Sequence, residues 1–297
     1  MSRDLFWSIA MIAVTAIWGW SFAAKHDLLL EMNASALNAY MFLLAAVAVL
    51  PFSIQSFYRM RKADWMSGIG IGCVLFMAFA LQTAGVAITT PSNAGFITGL
   101  CTVFTPIILY VIAKGRVRKH QSAGIAIAVV GLAMLSLDGF SVNFGDVLIL
   151  GCAVAFAMHI VAVSLFVRMP VAIASTFLQL LTVGILSAAW SLYEGSLAMP
   201  EGRSSIVSIL IVAILATGLG YVIQVRAQMR LPAEKVALIL ICEPVFAGVF
   251  GYWLADVRLS LINIIGALLI LLGIFVSEFG WRRSSLPATF NCNKPVL

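Results

Sequence analysis

The sequence predicts an all-α integral membrane protein: ten transmembrane helices arranged as two inverted five-helix repeats. Three observations predict it. The 297-residue chain is 62% hydrophobic and only 10% charged, with mean hydropathy +1.07; a soluble globular domain carries about 25% charge. The apolar residues fall into ten runs of roughly 17–22 residues, the length that crosses a hydrocarbon core of about 30 Å. When the links between runs are assigned to alternate sides, fifteen of the eighteen Lys and Arg gather on one side. That side is the cytoplasmic one, because cytoplasmic loops hold the cationic excess. Both termini are therefore expected in the cytoplasm.

The runs follow in order. Span 1 (5–24) comes after Arg3 and Asp4, and its apolar stretch is too long for the core of a signal peptide. Span 2 (36–55) ends before the cluster Arg59, Arg61, Lys62. Span 3 (65–86) contains Gly68, Gly70 and Gly72, which let a neighbouring helix approach closely. Span 4 (92–113) has Gly95 and Gly99 in a GxxxG, then Pro106 deep in the run. Span 5 (121–137) is bounded by the cations 114–119. Span 6 (146–166) holds His159 and precedes Arg168. Spans 7 (172–192) and 8 (205–225) flank a loop with the lone cation Arg203. Span 9 (236–255) contains Glu243-Pro244, and span 10 (259–279) ends before Arg282-Arg283. The transmembrane domain thus covers 1–283, and the polar tail 284–297, with Pro287 and Pro295, is expected to be disordered.

The two halves repeat. Gly124 and Gly131 in span 5 match Gly266 and Gly273 in span 10, and Leu81-Gln82 matches Ile223-Gln224 at the same offset. Pro106 matches Pro244, and a Val-Arg pair follows each of these spans: Val117-Arg118 and Val257-Arg258. The repeats are set at 5–137 and 146–279. Five is an odd number, so the second copy must insert upside down, a plan common among secondary transporters with substrate held near the midplane.

Several residues are candidates for chemistry. Glu243 is the one carboxylate deep in a run; a charge at that depth costs about 2.5–3.5 kcal/mol on insertion scales and is normally partnered. It either serves a substrate amine or a proton, or it packs as a hydrogen-bonding acid. Pro106 and Pro244 lack an N–H and release the carbonyls of Thr102 and Leu240; they are read as hinges or as static kinks. His159 is a proton relay or an interhelical hydrogen bonder. Gln82, Asn93 and Gln224 can bridge helices or bind a zwitterion. Trp18, Tyr221 and Phe246 are aromatic candidates for a cavity wall.

Absences narrow the class. No Lys or Arg lies inside the ten runs as drawn, which disfavours phosphate-bearing cargo. No GxxxxGK[ST] loop, HExxH or nucleophile–base arrangement occurs, so neither ATP hydrolysis nor other enzyme activity is expected, and no cofactor. The five cysteines form no CxxC, so no metal site is expected. The net charge of +6 belongs to cations at span ends, facing anionic lipid, and not to nucleic-acid binding.

With these residues in view, the chain resembles the EamA-type branch of the drug/metabolite transporter superfamily. Ala16-Ile17-Trp18-Gly19 in span 1 and Glu243-Pro244-Val245-Phe246 in span 9 carry the resemblance. Lys114-Gly115-Arg116 departs from the acidic residue usual after span 4. The stretch 92–100 resembles the branch that contains amino-acid exporters. The resemblance implies a multi-pass protein of the bacterial inner membrane, monomer or homodimer. It implies export of small apolar or zwitterionic metabolites, aromatic amino acids among them, by alternating access, with protons as a candidate coupling ion. An uncoupled facilitator or uptake carrier, and a lipid-handling or non-transporting component, are the alternatives.

The topology is testable directly. Reporter fusions after Leu297 and within the 194–203 loop should give opposite readouts, cytoplasmic and external; the same side for both would overturn the span assignment.

Overall fold

The computed structural model describes residues 3–86, 88, 95, 97–113, 119–136, 144–198, 200, 202–254 and 260–281. The call-outs at Asn93, 114–118 and the tail 284–297 lie outside the described residues. The described chain is all-helical: α1 (Arg3–Glu31), α2 (Ala34–Phe57), α3 (Lys62–Val86), α4 (Cys101–Ala113), α5 (Lys119–Ser136) and α6 (Phe144–Phe166). After a 3-10 turn at Met169–Val171 come α7 (Ala172–Tyr193), α8 (Arg203–Gln228), α9 (Ala233–Leu240), α10 (Glu243–Leu254) and α11 (Leu261–Trp281). Long continuous apolar runs in lipid favour helix, in which a segment satisfies its own backbone hydrogen bonds. Six of the described helices are long and apolar enough to cross a membrane, and Ile97–Ile112 and Leu261–Val276 are shorter apolar helices.

Helix α1 corrects one sequence boundary. It does not stop at residue 24 but continues to Glu31, because Leu28, Leu29, Leu30 and Glu31 are strong helix formers and no Gly or Pro interrupts them. Lys25, assigned above to a link, therefore lies inside a helix.

Spans 5 and 10 of the sequence, α5 and α11, pack through their matched glycines. A Cβ on Gly131 would come within 2.5 Å of the Gly266 carbonyl and 2.7 Å of the Ile270 amide. A Cβ on Gly273 would meet the Gly124 carbonyl at 2.5 Å and the Ala128 amide at 2.8 Å. As one residue number rises the other falls, so the helices run antiparallel. The duplication exchanges the two contacts, which is the signature of a two-fold relation between the halves at this interface. Helices α2 and α7 form the corresponding antiparallel pair. Ser35 Oγ donates to Glu194 Oε2 at 2.6 Å at one end, Gly184 lies against Leu43 in the middle, and Ser53 Oγ approaches the Ile173 carbonyl at 3.4 Å at the other. Gly195, at φ 65°, ends this helix in the left-handed region that favours glycine.

The ends of α3 and α6 are tied on the Lys/Arg-rich side. Arg168 Nε donates to Asp64 Oδ1 at 2.9 Å, its Nη2 pairs with Oδ2, and the Arg61 amide donates to Asp64 Oδ2 at 2.7 Å.

The glycine contacts give a stability prediction. Gly131→Ala should cost about 1–3 kcal/mol, the range for overpacking, because the atoms it meets are backbone. Gly70→Ala, which meets nothing within 4 Å, should leave stability unchanged or raise it. Denaturation midpoints in detergent measure both; equal midpoints would refute the close α5–α11 contact.

Candidate functional site

Irregular backbone marks the junction between the halves. Pro244 has no N–H to offer the Leu240 carbonyl, and the helix breaks there. The Ile241 amide reaches back only to Leu238 (3.3 Å) and the Cys242 amide to Ile239 (3.0 Å) before α-helical bonding resumes with Phe246 to Cys242 (3.0 Å). The Ala237 carbonyl, passed over by Ile241, accepts instead from Thr102 Oγ1 at 3.1 Å. Both residues are fully buried. The donor belongs to the first half and the acceptor to the second. The matched position shows a related irregularity: the Leu100 carbonyl accepts from both Val103 (2.8 Å) and Phe104 (3.1 Å), one turn ahead of Pro106.

A second irregularity lies in α8, where Val212–Leu219 is π-helical. Such segments recur at functional sites. Trp18 Nε1 donates to the Ala216 carbonyl within it at 2.6 Å, and a Cβ on Gly220 would meet that same indole nitrogen at 2.7 Å. Glycine at 220 is what lets the indole reach the backbone.

Around these points an aromatic and polar cluster gathers. Trp18 and Tyr221 lie with ring centroids 5.4 Å apart. Phe42 joins Tyr221 at 6.1 Å and Phe79 at 4.9 Å, and Phe79 meets Phe156 at 5.5 Å. His159 stands edge-on to Tyr221 at 6.1 Å. Its Nε2 donates to Gln179 Oε1 at 2.9 Å, and Gln179 Nε2 donates to Ser175 Oγ at 3.2 Å. His159 and Gln179 are both buried, so the pair satisfies two polar groups that lipid could not.

Glu243 opens α10, and Lys25 is its electrostatic counterpart: each acts on the other. Glu243 also weighs electrostatically on Cys101 and Tyr221. Helix α1 crosses α10 at Gly19, where a Cβ would come within 2.7 Å of the Ala247 amide and of Phe246 Cβ. The two run parallel, since Met11, nearer the start of α1, packs with Val236 and Ile239. Lys25 therefore lies beyond the crossing and Glu243 before it.

The structure brings together Trp18, Tyr221 and His159. It does not bring together Gln82 and Gln224. Helix α6 serves as the ruler. Leu81, next to Gln82, lies against Gly151 near its start. Gln224 sits between Tyr221, which meets His159, and Gln228, whose Nε2 donates to the Ile160 carbonyl at 2.7 Å. An inverted repeat sends matched residues to opposite depths unless they lie at the midplane. Gln224 is buried with its Oε1 unpaired. Phe246 packs into the cluster of Ile125, Leu132, Cys242 and Ile270, away from the Trp18 ring system. Sequence reasoning missed Lys25 and Gln179. Lys25 was hidden by ending span 1 at residue 24; Gln179, a lone amide inside an apolar run, was a legible signal.

Two matched apolar helical halves joined by a polar, aromatic seam define a multi-pass membrane protein. The comparisons agree. The EamA-like transporter family matches twice, over residues 5–137 and 143–279. The chain belongs to that family, one of transporters rather than enzymes, whose members handle small-molecule cargo in a membrane. A transporter of Archaeoglobus fulgidus, described as uncharacterized, is 31% identical over 92% of this chain and 86% of its own length. A probable amino-acid metabolite efflux pump of Escherichia coli is 25% identical over 93% and 96% of the two chains. Its Salmonella typhimurium namesake is 26% identical over 91% and 94%. A crystal structure at 21% identity superposes with a TM-score of 0.78, covering 92% of this chain and 97% of the other, and shares the fold.

Trp18→Phe keeps a ring beside Tyr221 but removes the donor to Ala216. It should lower stability by about 1 kcal/mol, the typical net value of one hydrogen bond, read as a lower denaturation midpoint in detergent. An unchanged midpoint would mean that the indole bond does not hold the π segment.

Proposed function

We propose that the protein is a secondary transporter exporting small apolar or zwitterionic metabolites, aromatic amino acids among them, by alternating access. In this reading the chain crosses a bacterial inner membrane ten times, with both termini in the cytoplasm. The observation that carries the reading is the seam itself. Trp18 from the first repeat meets Tyr221 from the second beside two breaks in regular helix, and Lys25 of the first repeat and Glu243 of the second weigh on each other electrostatically. Opposite charges beside aromatic rings suit a cargo with a zwitterionic head and an apolar body. The breaks give each half a place to change geometry without opening a backbone group to lipid. The efflux-pump names of two relatives support amino-acid cargo and outward movement. Glu243 offsets the charge of Lys25, so phosphate esters remain poor candidates.

Proteoliposomes test this. Labelled L-phenylalanine should show saturable counterflow, and a sugar phosphate should show none. An imposed pH gradient should accelerate export if protons are coupled and leave it unchanged in an uncoupled facilitator. No saturable movement of any amino acid, with the sugar phosphate carried instead, would remove the reading.

A further inference from the structure

We propose that Asp64–Arg168 and Glu31–Arg203 are two alternative ionic latches, one on each face of the membrane, and that this structure has the first closed and the second open. On the alternating-access reading above, on which this rests, the latches hold the two ends of the cycle shut in turn.

An inverted repeat gives each contact between the halves a matched place on the opposite face. Two helix pairs follow that rule closely. Gly131–Gly266 recurs as Gly273–Gly124 between α5 and α11. Helices α2 and α7 are bonded at both ends, through Ser35–Glu194 and Ser53–Ile173. The tie between α3 and the end of α6 instead meets a cleft at its matched place. On the Lys/Arg-rich face, Arg168 Nε donates to Asp64 Oδ1 at 2.9 Å and Nη2 pairs with Oδ2. The Arg61 amide gives Oδ2 a further donor at 2.7 Å. Asp64 belongs to the first repeat and Arg168 to the second. At the glycine offset Asp64 matches Ile206 and Arg168 matches His26. The matched place therefore lies between the end of α1 and the start of α8. A cleft of about 160 Å³ occupies it, lined by Asp27 and Glu31 of α1 and Ser204, Ser205 and Ser208 of α8. By the charge assignment this cleft opens on the side opposite the termini.

The rim of the cleft carries the parts of a latch. Glu31 is the last residue of α1 and Arg203 opens α8. Both are exposed, so each stays hydrated while the cleft is open. Closure of α1 on α8 would bring these opposite charges together. The order is reversed from the other face, where the acid opens α3 and the base follows α6. Complementary charge at both places is thus more than a copy left by duplication. An exposed ion pair is weak, which suits a contact that must form and break in each cycle. Asp64 is buried and takes two charged donors and one amide. Charge-assisted bonds of that kind are the stronger sort, so the resting state is closed on the Lys/Arg-rich face.

Spheroplasts, which present the external face, test the latches in the full-length chain. A membrane-impermeant maleimide should label Ser208→Cys, in the cleft, well above the background of the chain without that substitution. Adding Asp64→Asn or Arg168→Gln should lower this labelling about threefold or more, as the equilibrium moves toward the state closed outside. Arg168→Lys, which keeps the charge, should stay near the Ser208→Cys parent. Combining Arg168→Gln with Glu31→Gln or Arg203→Gln should restore labelling, a recovery that misfolding could not give. No labelling of Ser208→Cys at all, equal labelling throughout, or a loss without recovery would each overturn the latches; phenylalanine counterflow by the wild type would then leave the transport reading standing. If the wild type gives no saturable counterflow of any amino acid, the transport reading falls and the latches fall with it.

Discussion

A backbone carbonyl at membrane depth has no water to turn to, and this constraint organises the protein. Regular helix meets it automatically. Among the described residues, two places where the second repeat departs from α-helix each receive a hydrogen bond from a first-repeat side chain. Thr102 donates to Ala237 beside the Pro244 break, and Trp18 donates to Ala216 in the π segment. The irregularities therefore hold the halves together. Any movement that separates the halves there must break or replace these bonds, which makes the seam the natural place for two discrete arrangements instead of continuous sliding.

Inverted duplication also explains why the site is chemically lopsided. Two matched residues reach the same place only when they lie at the midplane; elsewhere the inversion carries them to opposite ends. The glycines of α5 and α11 show the consequence for packing, where Gly131 meets Gly266 and Gly273 meets Gly124. The site cannot be built that way. The position matching Glu243, aligned by the prolines, is Thr105, whose hydroxyl donates to its own helix at the Cys101 carbonyl, 2.8 Å away. The positions matching Lys25 and Trp18 at the glycine offset are Val167 and Ile160. The fold is repeated while the ionic and indole groups occur once, and a single binding direction can arise from a scaffold with two-fold symmetry.

The membrane class, the duplication and the landmark residues Glu243, Pro244 and Trp18 were legible in the sequence because each is a local property: hydropathy, spacing, or a residue type costly to bury. Gln82 and Gln224 misled for a reason that the same sequence contained. Their matched spacing was evidence for duplication, and inverted duplication itself argues against their sharing a site. His159 was visible as a polar group in an apolar run, but its partner Gln179 lies in another helix and could not be assigned from spacing.

By itself, the sequence determined that the chain is helical, membrane-embedded and twofold repeated, because lipid leaves an apolar chain few ways to satisfy its backbone and a matched spacing of glycines and prolines is a property of the chain alone. Only the tertiary structure decided that α1 runs past residue 24 and takes Lys25 into a helix. It alone assigned the Thr102 and Trp18 donors to the Ala237 and Ala216 carbonyls of the other half. Those pairings join residues some two hundred positions or more than a hundred apart, and which side chain crosses such a gap is set by how closely the helices approach at Gly19 and Gly220, not by any pattern along the chain.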